Sequence, residues 1–261
     1  MPAKIFRLFR LTRFAISIGL ILLGLFVPLS CASNPAPTPG EIAAAIPANV
    51  GFSNRPTWLS WEVARQKQFF QQYQTNVDLK WFDGYAESVI ALESGLLDAN
   101  TQTLADTIRS IAAGEDWEIV LVTDATNSNI PDFGHLAVTR QYMEEHPEVV
   151  QGLVNTWFET VQYIREKPEK ADRFMAKRAN IPPEDSQNLT TRTIPFGIAE
   201  NLNAFAPGND LAHLGYAAEA ICQLLLQNGA IQTKPDLSQL FDDRFVQAYA
   251  ASLTARNDRR L

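Results

Sequence analysis

The chain has 261 residues, 46% of them hydrophobic and 20% charged, with a formal charge of −7 at neutral pH. That length can bury a sizeable core in one large domain or two small ones, and the composition is that of a globular chain, not a disordered one. The acidic balance argues against nucleic acid as a partner, because such binding rests on Lys and Arg at phosphates.

Residues 1–13 carry Lys4, Arg7, Arg10 and Arg13 and no acid, and Phe14 to Leu29 then runs without a charge. A basic stretch followed by a short apolar one predicts an export signal over residues 1–30; an uncleaved anchor helix is the rival, against which the shortness of the apolar run counts. Removal of that signal takes four positive charges with it and leaves the mature chain at −11. Cys31 closes the run as Leu29-Ser30-Cys31, which resembles a bacterial lipidation box, with Pro28 in place of its usual Leu. Cleavage after Ala32 is the competing possibility, since Ser30 and Ala32 are both small. Asn34-Pro-Ala-Pro-Thr-Pro-Gly40 favours lipidation, because an extended Pro-rich tether over residues 31–46 holds an anchored domain off a membrane.

From residue 48 the hydrophobic period alternates. Ala48 to Asn54 is a short apolar run ending in turn-forming residues; Trp58 to Phe70 has helical spacing in Leu59, Val63, Phe69 and Phe70. Val77, Leu79 and Trp81 then alternate with Asp78 and Lys80, so the period drops from about 3.6 to 2, as it does when helix gives way to strand. Tyr85–Leu97 and Leu104–Ala113 read as helices, Asp98–Thr103 as a short strand and Trp117–Thr123 as an apolar, β-branched one. Alternating strands and helices predict a mainly parallel α/β sheet with helices on both faces. Ligands of such sheets sit at the carboxyl ends of the strands, against helix N-termini. Ser53 and Asn54 end the first strand, Asp83-Gly84-Tyr85 the second, Gln102 and Thr103 the third. Helix capping alone explains any one of these polar residues. Three such ends on one edge predict a site for a small anion, with Trp58 and Tyr85 at the neighbouring helix starts.

After a polar connector, His135–Thr139 reads as a strand. Glu144 opens a long helix with Val149, Leu153, Trp157, Val161 and Ile164 on its buried side, and Lys167-Pro168 stops it. Pro168–Ala179 and Leu211–Asn228 are further helices, the latter closed by Gly229. Ser186–Phe205 is mixed and polar, and Asp242–Ala250 is a short helix before a solvated tail. Cys222 lies in an apolar helix and reads as core.

Asn49-Val-Gly-Phe-Ser-Asn, Trp58-Leu-Ser-Trp-Glu-Val-Ala, Val77-Asp-Leu-Lys-Trp-Phe-Asp-Gly-Tyr, Leu97-Asp-Ala-Asn-Thr-Gln-Thr, Pro207-Gly-Asn-Asp-Leu and Phe241-Asp-Asp-Arg-Phe form a series. As a series it resembles the nitrate/sulfonate/taurine class of ABC-transporter substrate-binding proteins. The resemblance implies a periplasmic-binding-protein type II lobe followed by C-terminal helices. It also implies export to the periplasmic face of a bacterial membrane, a small anionic solute, an ABC permease and ATPase complex as partner, no cofactor and no catalysis. Family members build a second lobe between strands like Trp117–Thr123 and His135–Thr139, whereas here only residues 124–133 lie between them. The second lobe is therefore expected to be largely absent, for a gap of that size cannot hold a lobe of ~100 residues. The expected organisation is a single domain over 47–252, built from 47–124 and 134–252, with a disordered tail over 253–261.

The three histidines lack the spacing of a metal site, and no phosphate loop, dinucleotide fingerprint or nucleophile elbow occurs. Three functions stay open: a lipid-anchored solute-binding protein, a lobe-only relative with a protein-contact role, and an enzyme like the thiamine-pyrimidine synthases. Export and the lack of a Cys/His cluster count against the last.

Overall fold

A computed structural model describes residues 47–126, 129, 132–182 and 195–258. The expected signal, Cys31 with its tether, and residues 259–261 of the expected tail lie outside them. Strands β1 (Ala48–Ser53), β2 (Val77–Phe82), β3 (Ala99–Thr103), β4 (Trp117–Ala125) and β5 (Phe133–Thr139) form one sheet of order β2-β1-β3-β5-β4. The first strand pairs parallel with β2 and β3, while β5 runs antiparallel between β3 and β4. Four strands thus point one way, and their carboxyl ends share one edge with the start of β5.

The outbound and return strands close directly on each other, with Asp124 opposite Gly134 and Ala125 opposite Phe133. Both run two residues further into the connector than their apolar residues suggest. Among the described residues this is the only sheet, so the second lobe is absent there.

The helices are α1 (Ser60–Gln66), α2 (Phe69–Gln72), α3 (Tyr85–Glu93), α4 (Leu104–Ala113), α5 (Arg140–Glu145), α6 (Pro147–Glu166), α7 (Pro168–Ala179), α8 (Ile198–Phe205), α9 (Leu214–Gln227) and α10 (Arg244–Asp258). Several boundaries correct the sequence reading. Gln68 is left-handed (φ 58) and divides the first expected helix, a break hidden because the apolar residues on both sides stay buried. The third helix stops at Glu93, not Leu97, because Gly95 (φ 73) reverses the chain. The long helix begins at Pro147, not Glu144: a residue before proline is kept out of the helical region, and His146 sits at φ −135, ψ 51. A helix absent from the sequence reading, α8, lies in the stretch taken as mixed, and the tail expected to be disordered from residue 253 is helical to Asp258.

On one face of the sheet α6 lays Val150, Leu153, Val154 and Trp157 against Val50, Phe52, Val120, Leu136 and Val138, with Val77 and Leu79 at its margin. On the other, α4 and α9 cover Ile119, Val122 and Phe133, and Cys222 is buried there. Strict alternation would put Val120 and Val122 on the same face. The register shift between Ile119 and Leu121 separates them, and a second shift follows between Val122 and Asp124. Each bulge inserts one residue and re-aims the side chains beyond it. The outer edge of β4 is satisfied by side chain and loop: Asn201 pairs with both Val122 backbone groups at 2.8 and 2.9 Å, and Ile119 bonds Leu240 and Asp242 at 2.7 and 3.0 Å. An edge so covered offers no unpaired template to another chain.

Candidate functional site

At the strand-end edge, the turn after β1 supplies Arg55, Thr57 and Trp58, β3 ends in Thr103, and β4 brings Thr123 and Asp124. Thr103 caps α4 by accepting the Asp106 N–H at 3.3 Å, while its own N–H donates to the Tyr85 hydroxyl oxygen at 2.9 Å. The Tyr85 hydroxyl in turn donates to Asp106 at 2.5 Å, so the starts of α3 and α4 are tied together. Burial raises the Tyr85 phenol above its ordinary range, which keeps it a donor at neutral pH.

Asp124 is buried to 1% exposure and is the electrostatic centre of the edge. The Arg55 guanidinium pairs with it, the Thr57 hydroxyl donates to it, and the Thr123 hydroxyl approaches at 3.1 Å. Arg55 also lies over the Trp58 ring at 5.0 Å, and Trp58 Nε1 donates to Thr123 at 3.1 Å. This crowding demands Gly134 opposite. A Cβ there would lie 2.6 Å from Asp124 Oδ2, 2.8 Å from Thr123 Oγ1 and 2.9 Å from Trp58 Nε1. The second bulge of β4 explains why Thr123 and Asp124, neighbours in a strand, both serve the same cluster.

From the far end of the connector Asp132 places its carboxylate on the N-terminus of α4, where Oδ1 accepts the Ala105 N–H at 3.1 Å. Its backbone is fixed by two bonds to Thr126, one at 3.2 Å and one at 2.8 Å. Burial pushes its pKa up, opposed by the Ala105 N–H, the Thr103 hydroxyl, the Arg55 charge and the Leu104 N–H. Across the hairpin end, Ala125, Thr126, Phe133, Phe196 and Leu211 line a largely apolar hollow of ≈ 550 Å³.

Beneath the edge runs a directed chain of buried hydrogen bonds. Asn100 Nδ2 donates to Gln102 Oε1 at 3.1 Å, and Gln102 Nε2 donates to Thr107 Oγ1 at 2.6 Å. Thr107 lies 2.9 Å from His135 Nε2, and His135 Nδ1 reaches the Phe133 carbonyl at 3.4 Å. A carbonyl only accepts, so Nδ1 carries the proton and Nε2 accepts from Thr107. Burial holds His135 neutral, its pKa lowered to about 3.

The residues expected at the site therefore fall into three groups. Asn54 is exposed, and Tyr85 and Thr103 are half-buried at the edge. Trp58 and Gln102 lie under it, at 1% and 0% exposure. Ser53 is buried as well, and its hydroxyl has no hydrogen-bond partner among the described residues. Sequence reasoning missed Arg55, Thr57, Asp106, Asp124 and Asp132. The available signal was a carboxylate ending an otherwise apolar strand, Asp124, which marks a charge that needs a partner. Among the described residues no three His, Cys, Asp or Glu are placed to hold a metal ion.

No family model matches the chain, and no curated protein matches it. Solved structures do. The periplasmic aliphatic sulphonate binding protein SsuA of Escherichia coli aligns over 74% of this chain and 90% of its own at 13% identity, with a TM-score of 0.57. The periplasmic nitrate-binding protein NrtA of Synechocystis PCC 6803 aligns over 79% and 88% at 10% identity and 0.58. The alkanesulfonate-binding protein SsuA of Xanthomonas axonopodis pv. citri, bound to MOPS, aligns over 76% and 100% at 10% identity and 0.57. The fold is that of the periplasmic binding proteins.

Proposed function

We propose that the chain is an exported solute-binding protein of an ABC importer, anchored by a lipid on Cys31, that holds a small anion or organic sulfonate without chemistry. The observation that carries this reading is the convergence of the β1, β2 and β3 ends with the α4 N-terminus, Thr103, Tyr85 and Arg55 on one edge, in a fold shared with sulfonate- and nitrate-binding proteins. Helix N–H groups and hydroxyls hydrogen-bond an anion, and the apolar hollow beside Thr126 suits an organic tail better than the buried Trp58 does.

Without a second lobe the outer side of the ligand stays in water. Each hydrogen bond nets only about 0.5–1.5 kcal/mol, so losing several of them lowers affinity by orders of magnitude, to ~millimolar or weaker. Calorimetric titration of the native chain with taurine, alkanesulfonates, nitrate and bicarbonate tests this. Micromolar binding that survives both Thr103→Ala and Trp58→Ala moves the site away from this edge.

The anchor has its own test in mass spectrometry of the mature N-terminus. A diacylglyceryl-modified Cys31 peptide is expected, and an unmodified peptide starting at Ser33 refutes the anchor. The direct closure of β4 on β5 favours a second reading, a lobe-only protein that contacts another protein and transports nothing. Unchanged uptake of all these solutes in a deletion strain selects it.

A further inference from the structure

The two edges of the sheet differ. Asn201, Leu240 and Asp242 cover β4, whereas among the described residues no partner bonds the backbone along the outer side of β2. Which groups lie on that side follows from the register. The Asn76 carbonyl accepts the Ala48 N–H at 3.0 Å, so by the alternation of a strand Asp78, Lys80 and Phe82 also turn their backbone groups to β1. Val77, Leu79 and Trp81 turn theirs outward. The side chains of these three pack on the core under α6, and Trp81 is pinned by Phe52 at 5.2 Å and by the Arg178 guanidinium at 4.6 Å. On the opposite face Asp78 and Lys80 form an ion pair at 2.5 Å, with both side chains half-exposed. The open edge is thus preformed, and its two charges flank Leu79.

We propose that β2 is a docking strand for β2 of a second copy of this chain, paired antiparallel about a two-fold axis at Leu79. In that register Leu79 meets Leu79 of the second copy and Val77 meets its Trp81, so outward backbone groups face outward backbone groups. Asp78 falls opposite Lys80 of the second copy, and Lys80 opposite its Asp78, at the non-hydrogen-bonded positions where side chains come closest. An axis at Asp78 or at Lys80 would instead set like charges against each other, which destabilises a pair. A lysine on an edge strand ordinarily keeps other strands away. Here an acid two residues before it makes the strand complementary to itself in one register. Val77 against Trp81 adds a β-branched–aromatic pair on the other face. Because β4 is covered, assembly through β2 closes at the dimer and does not grow into a fibre. Antiparallel pairing sends the two strand-end edges in opposite directions, so the inference does not depend on what binds there.

Sedimentation velocity of the native chain over a concentration series is expected to show a reversible monomer–dimer equilibrium. Added salt should weaken it, since the paired charges are solvent-exposed. Asp78→Lys sets lysine opposite lysine, and Lys80→Asp sets acid opposite acid. Each change alone should weaken the dimer about tenfold or more. An equimolar mixture of the two variants should dimerise about as well as the native chain, because every lysine of one then faces an acid of the other. Leu79→Pro removes an outward N–H and spares the bonds to β1, as an edge strand allows, and should leave a folded monomer. The charge variants sit on half-exposed positions and carry the test should that proline prevent folding. A native chain that stays monomeric to ~millimolar concentration overturns the inference. So does a dimer indifferent to both charge reversals, and so does a mixture that fails to restore what the single variants lose.

Discussion

Arg55→Met is expected to destabilise the folded chain by about 3 kcal/mol, because it strands a buried charge. Asp124 is 1% exposed, and its side chain faces Arg55, Thr57 and Thr123. The two hydroxyls remain in the variant, but they supply dipoles where a full positive charge stood. An unpaired buried carboxylate costs more than the pair contributes, so the double variant Arg55→Met/Asp124→Asn should recover a large part of the loss. The Arg55 side chain is 21% exposed, which holds the expected figure at the lower end of the usual range for a buried pair. Urea unfolding of the native chain, both single variants and the double variant measures the cycle. A single Arg55→Met variant that unfolds at the native urea concentration would show that Asp124 is stabilised without its cation.

Stability is expected to fall steeply as pH drops from about 6.5, and His135 is the cause. Its pKa is lowered to about 3 in the fold, from 6.5 in the open chain. Between those values the unfolded state binds a proton that the folded state refuses, so the free energy of unfolding decreases as pH decreases. The slope from this one group approaches 1.4 kcal/mol per pH unit, by the linkage relation, wherever the two states differ by a whole proton. The hydrogen-bond chain supplies the structural reason. A protonated Nε2 would face the Thr107 oxygen, forcing that hydroxyl to turn while Gln102 still donates to it. Asp132 acts in the opposite sense, its raised pKa favouring the fold as the solution becomes more acid. A His135→Gln variant isolates the histidine, for it retains an acceptor for Thr107 but no titration in this window. Urea unfolding of both chains from pH 7.5 to 4 should show the shallower slope in the variant; parallel slopes would mean that His135 takes up its proton without unfolding.

The same residues show how far the chain could be read before it was folded. The alternation of Val77, Leu79 and Trp81, the helical spacing from Val149 to Ile164 and the β-branched run from Trp117 all mark real elements. Such patterns are local, since a strand or helix must bury one side wherever it lies. Where local signals mislead, a single backbone event is responsible: the left-handed Gln68, the proline after His146, the bulge at Ile119–Leu121 that sends Val122 to the face opposite Val120. None of these changes the hydrophobic content of its segment, which is why periodicity passes over them.

By itself the sequence determined the series of elements, the shared direction of β1, β2 and β3, and the polar residues at their ends, including Thr103 as a helix cap and the shortness of the gap from 124 to 133. The tertiary structure alone decided what stands at those ends. It brought Arg55 to Asp124 across 69 residues and Asp132 to Ala105 across 27, and it buried Trp58 and Gln102 beneath the edge they were expected to line. The physical reason lies in desolvation. A charged or polar residue in a turn has the same local preferences whether water or a buried partner satisfies it, and only the packed chain determines which of the two it meets.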